Sequence, residues 1–296
     1  MMRLRRLVPA SLLVLLAACT TTLPKPQIIP PKAPIKPKIA LALGGGAAKG
    51  FAHIGVIKML EADGIVPDII TGTSAGSVVG SLYASGLNGM QLQSKAMQLD
   101  ESELTDWTLS TKGFLKGEKL EAYINAQVGN RPIEKLPRRL GIVATELDTG
   151  QKVVFRTGNT GQAVRASASI PNVFLPVQIG GKRYVDGGLV SPVPVSAARE
   201  MGADFVIAVD ISAKPKPGKA TGLFSMLDQS FNIMSGPTLA AELRQADVVI
   251  RPNVLNIGSA DFEARHQAIL EGEKATQEII AIIRSRLQQK TQLINK

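Results

Sequence analysis

The chain has 296 residues, 45% hydrophobic and 20% charged, with one cysteine, two histidines and a formal net charge of +10. A single cysteine excludes disulfides within the chain and any thiolate metal cluster. The charge is unevenly placed: Arg3, Arg5, Arg6, Lys25, Lys32, Lys36 and Lys38 precede residue 39, so the remainder carries only about +3, which excludes nucleic acid as the partner that the basic balance at first suggests.

Residues 1–18 read as a bacterial secretory signal, with a basic start and an apolar stretch, Leu7 to Ala18, too short to span a bilayer as a mature helix. The stretch ends in Leu16-Ala17-Ala18-Cys19, which resembles the lipobox of bacterial lipoproteins. Cleavage before Cys19 and lipidation on it are expected; Thr20 in the next position implies the outer membrane, facing the periplasm, as the destination. Residues 19–38 hold six prolines and four lysines and read as an extended tether reaching roughly 50 Å, at about 3 Å per residue. Its lysines suit anionic lipid head groups.

From residue 39 to 296 the expectation is one α/β domain, a mainly parallel sheet flanked by helices. Ile39 to Leu43 is a short apolar run, Gly44-Gly45-Gly46-Ala47-Ala48-Lys49-Gly50 a glycine loop, and Phe51 to Glu61 a helix closed at Asp63-Gly64. The loop offers backbone N–H groups beside a positive helix end, able to cradle a phosphate or an oxyanion. Its spacing fits neither the P-loop nor the dinucleotide pattern, because Lys49 precedes Gly50 and stands where the third dinucleotide glycine belongs. A second unit repeats the plan: Asp68 to Thr71 as a strand, then Gly72-Thr73-Ser74-Ala75-Gly76 in the Gly-x-Ser-x-Gly spacing of a nucleophile turn. In a parallel sheet both loops lie at the carboxyl edge of the strands, where ligands bind.

Here the chain resembles the patatin-like phospholipase family, over residues 39 to about 255. Four blocks carry the resemblance: Gly44, Gly45, Gly46, Lys49 and Gly50; Gly72, Ser74 and Gly76; Ala166-Ser167-Ala168-Ser169-Ile170-Pro171; and Asp186-Gly187-Gly188. It implies an acyl-ester hydrolase with a Ser74–Asp186 dyad, no histidine and no cofactor, and an oxyanion hole in the first glycine loop. Gly44, Gly45 and Gly46, with Ala75, are the expected donors.

Other acceptors for the serine proton are few. His53 sits just inside the first helix, His266 at the head of a terminal helical stretch from Glu263 to Gln289, and Asp210 at the end of a strand from Phe205 to Val209. Asp186 follows the strand Lys182 to Val185, and Gly187-Gly188 allow a sharp turn that brings its carboxylate to a neighbouring loop. Ser167 and Ser169 are expected as structural contacts to the site. Residues 87–129 read as an amphipathic helical layer or lid, and 141–145 and 153–155 as strands joined by a turn at Asp148-Thr149-Gly150. After a basic loop at 213–222, residues 223–247 read as helix broken at Gly236-Pro237, followed by a last strand from Val248. Phospholipid is the favoured substrate; a non-catalytic lipid-binding protein and an acyltransferase using the same serine are the competing readings.

Overall fold

The structure is a computed structural model and describes residues 35–100, 102, 115–212 and 223–296. The signal segment, Cys19, most of the tether, Trp107, Phe114 and the basic loop lie outside these residues. Ile35 to Lys38, expected to end the tether, are held by the domain: the Ile35 N–H donates to Asn295 Oδ1 and the Lys38 N–H to Asp204 Oδ2, each at 2.8 Å.

The elements in chain order are β1 (Ile39–Leu43), α1 (Ala52–Ala62), β2 (Ile69–Thr73), α2 (Ala75–Ala84), α3 (Gly89–Gln98), α4 (Glu118–Gln127), β3 (Arg139–Glu146), β4 (Lys152–Phe155) and α5 (Thr160–Ser167). They continue with β5 (Val177–Ile179), β6 (Lys182–Asp186), α6 (Val195–Glu200), β7 (Phe205–Val209), α7 (Leu223–Leu243), β8 (Val248–Ile250) and α8 (Arg265–Ile294). The strands form one sheet in the order β5-β6-β3-β2-β1-β7-β8, with β4 pairing β3 separately. β3, β2, β1, β7 and β8 are mutually parallel; β4 and β6 pair β3 antiparallel, and β5 pairs β6 antiparallel.

Period-two alternation makes this sheet the middle of three layers. Leu41 and Leu43 of β1 pack with Ile54, Ile57 and Leu60 of α1 and Ile269 of α8 on one side. Ala40 and Ala42 of the same strand pack with Val195 and Ala198 of α6 on the other. The small residues on the second face let that layer come in close. α1 and α8 cross at glycines: a Cβ on Gly55 would stand 2.0 Å from the Ile269 carbonyl oxygen, and one on Gly272 would stand 2.0 Å from that of Ala52.

Within 87–129 the described residues form α3 and α4, with Leu115 in an isolated β-bridge to Phe174, and α4 buries Leu120 and Ile124 in the main core, the behaviour of a packed layer. The turn at Asp148-Thr149-Gly150 joins β3 to β4, with Gly150 at φ +69°. The expected break at Gly236-Pro237 does not occur: α7 runs unbroken from Leu223 to Leu243 with Pro237 inside it. One proline removes a single intrahelical bond, and Leu239 and Leu243 beyond it pack against the second core cluster, which holds that end in register.

The pairing of β3 decides where the site forms. β4 pairs residues 142–145 of β3, overlapping both β2, which pairs 139–143, and β6, which pairs 144–146. A strand has two edges, so β2 and β6 must share the other one, end to end. Thr73 lies opposite Val143 and Asp186 opposite Ala144. The chain leaves the sheet at Ser74, and β6 ends beside that exit at Asp186.

Candidate active site

Ser74 stands between β2 and α2 with φ +52° and ψ −125°, a conformation that costs a non-glycine residue on the order of 1–3 kcal/mol. Two glycines make the turn possible. A Cβ on Gly72 would lie 2.5 Å from the Gly76 carbonyl oxygen, and one on Gly76 would lie 2.1 Å from that of Leu43 and 2.7 Å from that of Gly44. Strand, helix and glycine loop therefore touch backbone to backbone around the serine. The Ser74 N–H donates to Ser167 Oγ at 2.9 Å, and Ser167 Oγ donates to the Val143 carbonyl at 2.6 Å, tying the turn to α5 and β3. The Ser77 hydroxyl donates to the Ser74 carbonyl at 2.6 Å and closes the first turn of α2.

Asp186 is buried and held on three sides. Its N–H donates to the Ser169 carbonyl at 2.9 Å, its carbonyl accepts from Thr145 Oγ1 at 2.8 Å, and its Oδ1 accepts from the Gly188 N–H at 2.7 Å. Gly187 is required here, since its Cβ would stand 2.3 Å from the Val143 carbonyl oxygen, and a Cβ on Gly188 would stand 3.0 Å from Oδ1, a tight approach. Burial pushes the Asp186 pKa up to about 6, against the lowering effect of hydrogen bonds from the Ser74 side chain and the Gly188 N–H. A carboxyl near 6 is a far better proton acceptor than an exposed one near 4, and it is ionised at neutral pH.

The glycine loop corrects one expectation. The Gly44 N–H donates to the Val209 carbonyl at 3.1 Å and the Gly45 N–H to that of Pro192 at 3.0 Å, so two of the four expected oxyanion donors are engaged in holding the loop. Among the described residues, the N–H of Gly46 has no acceptor, and that of Ala75, the first residue of α2, has no intrahelical partner. Lys49 is buried in the 3-10 turn that follows, and its N–H donates to the Gly46 carbonyl at 3.1 Å. Gly50 packs on the serine turn, its Cβ position lying 2.7 Å from Ala75 Cβ.

The competing bases have other surroundings and partners. His53 is fully buried; its Nε2 donates to the Gly44 carbonyl at 2.8 Å, Nδ1 has no partner among the described residues, and burial lowers its pKa to about 4. His266 lines a cleft with Met97, Gln98, Leu99, Asp100, Glu263 and Arg265, a lining that does not include Ser74. Asp210 accepts from the Ser212 N–H and hydroxyl and pairs with Arg251 at 3.4 Å.

A further network carries no sequence motif. Glu242 on α7, 5% exposed, accepts from Ser191 Oγ at 2.5 Å, Ser196 Oγ at 2.8 Å and the Ser196 N–H at 2.6 Å. Carbonyls of the same 191–194 segment accept from Thr73 Oγ1, at Ser191, and from Thr71 Oγ1, at Pro194. The segment thus straps β2, the glycine loop and α7 together. A lone glutamate amid helical sequence gave no sign of this role.

A three-layer fold with a glycine loop and a strained serine turn at the same sheet edge, beside a buried aspartate, defines an α/β protein of the nucleophile-elbow class. The chain belongs to the patatin-like phospholipase family, whose model matches residues 41–199. It is 37% identical over 192 residues to an uncharacterized NTE family protein of Mycobacterium bovis, covering 64% of this chain and 53% of that protein. It is 32% identical over 181 residues to a lysophospholipase NTE1 of Meyerozyma guilliermondii, covering 59% of this chain and 13% of that one. The chain spans about half the length, or less, of these curated relatives. Among solved structures, VipD from Legionella pneumophila shares the fold, with a TM-score of 0.57 at 14% identity over 83% of this chain and 67% of that chain.

Proposed function

We propose that the protein is a serine acyl hydrolase of lipid carboxylic esters, of phospholipase or lysophospholipase type, with Ser74 and Asp186 as a dyad. The observation that carries this reading is the strained Ser74 beside a buried carboxyl whose pKa is raised to about 6. Ser74 Oγ attacks the ester carbonyl carbon as its proton passes to Asp186. The tetrahedral oxyanion is held by the N–H groups of Gly46 and Ala75, with the positive end of α2 beneath it. Collapse breaks the ester C–O bond, and the leaving alkoxide takes the proton back from Asp186. Water, deprotonated by the same carboxylate, then releases the fatty acid from the acyl-serine.

Membership of the family and the lysophospholipase name of one relative support lipid esters as the substrate class. The lipobox at Cys19 supports a lipid anchor in the bacterial envelope, on the periplasmic face of the outer membrane. The deciding experiment is labelling by a fluorophosphonate, which traps an activated serine: wild type and His266→Ala should label, whereas Ser74→Ala and Asp186→Asn should not. Absence of label on folded wild type in the presence of detergent or lipid would sink the hydrolase reading. Metabolic incorporation of an alkyne fatty acid, lost in Cys19→Ser, tests the anchor separately.

A further inference from the structure

His53 is a costly residue to bury. A fully enclosed imidazole with one nitrogen unpartnered has lost hydration without replacing it, which a leucine of similar size would avoid. What the side chain does provide is the bond from Nε2 to the Gly44 carbonyl at 2.8 Å. A carbonyl can only accept, so Nε2 carries the proton, and the low pKa keeps the ring neutral throughout the range in which a carboxylate base can work.

The peptide joining Gly44 to Gly45 is the one that matters. Its carbonyl is gripped by His53 from α1, and its N–H is gripped by the Pro192 carbonyl from the opposite side. A glycine–glycine peptide left to itself rotates easily, because neither residue has a Cβ to restrict it. Held at both ends, this one has a single orientation; the Gly46 carbonyl is held in turn by the Lys49 N–H, so the peptide that carries the Gly46 N–H lies between two fixed neighbours. The Pro192 side of the grip is itself braced, since Ser191 and Ser196 are bonded to the buried Glu242 carboxylate and the Ser191 carbonyl to Thr73, the residue before the serine. The position of a Gly45 Cβ, 3.2 Å from Ser74 Cβ, shows how close this loop comes to the nucleophile.

We infer that His53 is a positioning residue for the oxyanion hole: its Nε2–H fixes the Gly44–Gly45 peptide so that the Gly46 N–H is presented to the oxyanion formed at Ser74. The inference rests on the hydrolase reading above and assigns His53 no part in proton transfer. Electrostatic stabilisation of this kind depends on donors fixed before the charge develops, so a loosened donor costs turnover more than binding.

The test compares His53→Leu, which removes the donor at similar size, with His53→Gln, whose side-chain amide can reach the same carbonyl. Fluorophosphonate labelling rate, kcat and KM on a short soluble ester, and the melting temperature are measured for each. The expected result for His53→Leu is a fall of at least about tenfold in labelling rate and kcat, KM within about twofold and an unchanged melting temperature, with most of the rate recovered in His53→Gln. A folded His53→Leu protein that labels and turns over at the wild-type rate overturns the inference, and so does a loss that His53→Gln fails to restore. Should His53→Leu not fold, the crystal structure of the wild-type phosphonylated protein decides. The phosphonyl oxygen within about 3 Å of the Gly46 N–H, with His53 still on the Gly44 carbonyl, supports the assignment; a Gly44–Gly45 peptide flipped away from His53 refutes it. If wild type itself does not label, the hydrolase reading fails first, and the two failures stay distinct.

Discussion

The first two β-loop-α units follow one plan and put their backbone to opposite uses. In the first, β1 leads into a loop whose N–H groups at Gly44 and Gly45 and whose carbonyl at Gly44 are all taken by the surrounding protein. In the second, β2 leads into a turn whose central residue, Ser74, is held at positive φ with its N–H tied to Ser167 and its side chain directed to Asp186. One unit is a fixed frame and the other stores strain. The strained turn is braced by the frame: Gly76 rests directly on the Leu43 and Gly44 carbonyls.

The largest expected effect comes from removing the chemistry and leaving both units standing. Ser74→Ala should lower turnover by at least about 10³ and abolish fluorophosphonate labelling, with a melting temperature at or above that of wild type because alanine has no hydroxyl to bury. A protein that keeps its esterase activity after this change would place the nucleophile elsewhere.

Asp186→Asn should come next, and pH sharpens it. As the proposed base, Asp186 must be ionised, so wild-type kcat/KM should fall as pH drops through about 6 and level off above it. The stability effect has the opposite sense. A carboxyl whose pKa is raised in the folded state binds its proton more tightly there than in the unfolded chain, so it weakens the fold progressively as pH rises from about 4 to about 6, by up to about 3 kcal/mol. Asp186→Asn should therefore be inactive yet melt higher than wild type at pH 7, and the gap between the two should narrow at pH 4. A melting difference that does not change with pH would contradict the raised pKa.

Gly76→Ala breaks the contact between the two units. Its Cβ would meet backbone at 2.1 Å, which cannot be relieved by a side-chain rotation, so a loss of about 2–4 kcal/mol in chemical denaturation is expected together with most of the activity. Ser167→Ala is gentler: it leaves the Ser74 N–H without its acceptor and should reduce kcat by about tenfold with KM little changed. The smallest effect is at the exit from the first unit, where Gly64 has φ +73° and nothing within 4 Å of a Cβ. Gly64→Ala should cost about 1 kcal/mol in a melt and leave activity untouched.

Much of this was legible before the fold was known, for reasons particular to each residue. Gly72, Ser74 and Gly76 stand at a fixed short spacing that fits a strand turning into a helix, a pattern common in ordinary turns that gains its meaning from the glycine loop before it and the other three blocks of the family resemblance. Gly187 and Gly188 announced a sharp bend after β6, and the alternation of β1 and the glycine stops placed two loops at one sheet edge. The donors were not legible, because whether an N–H of Gly44, Gly45 or Gly46 is free depends on the Val209 and Pro192 carbonyls, more than 140 residues away in the chain. His53 was recognisable as a packed helical residue but its partner was not, and Glu242 offered no pattern. The helix through Pro237 is a similar case, where packing of Leu239 and Leu243 overrode a local breaker.

The sequence by itself therefore determined the kinds of local structure and the serine turn, which depend on steric limits acting within a few residues, and the family, which four short blocks in order carry. Only the tertiary structure decided which groups are left to do chemistry. Asp186 reaches Ser74 because β2 and β6 share one edge of β3 end to end, and its pKa rises because the layers on both sides exclude water. Both are consequences of distant segments packing together, and neither can be read from the residues on either side.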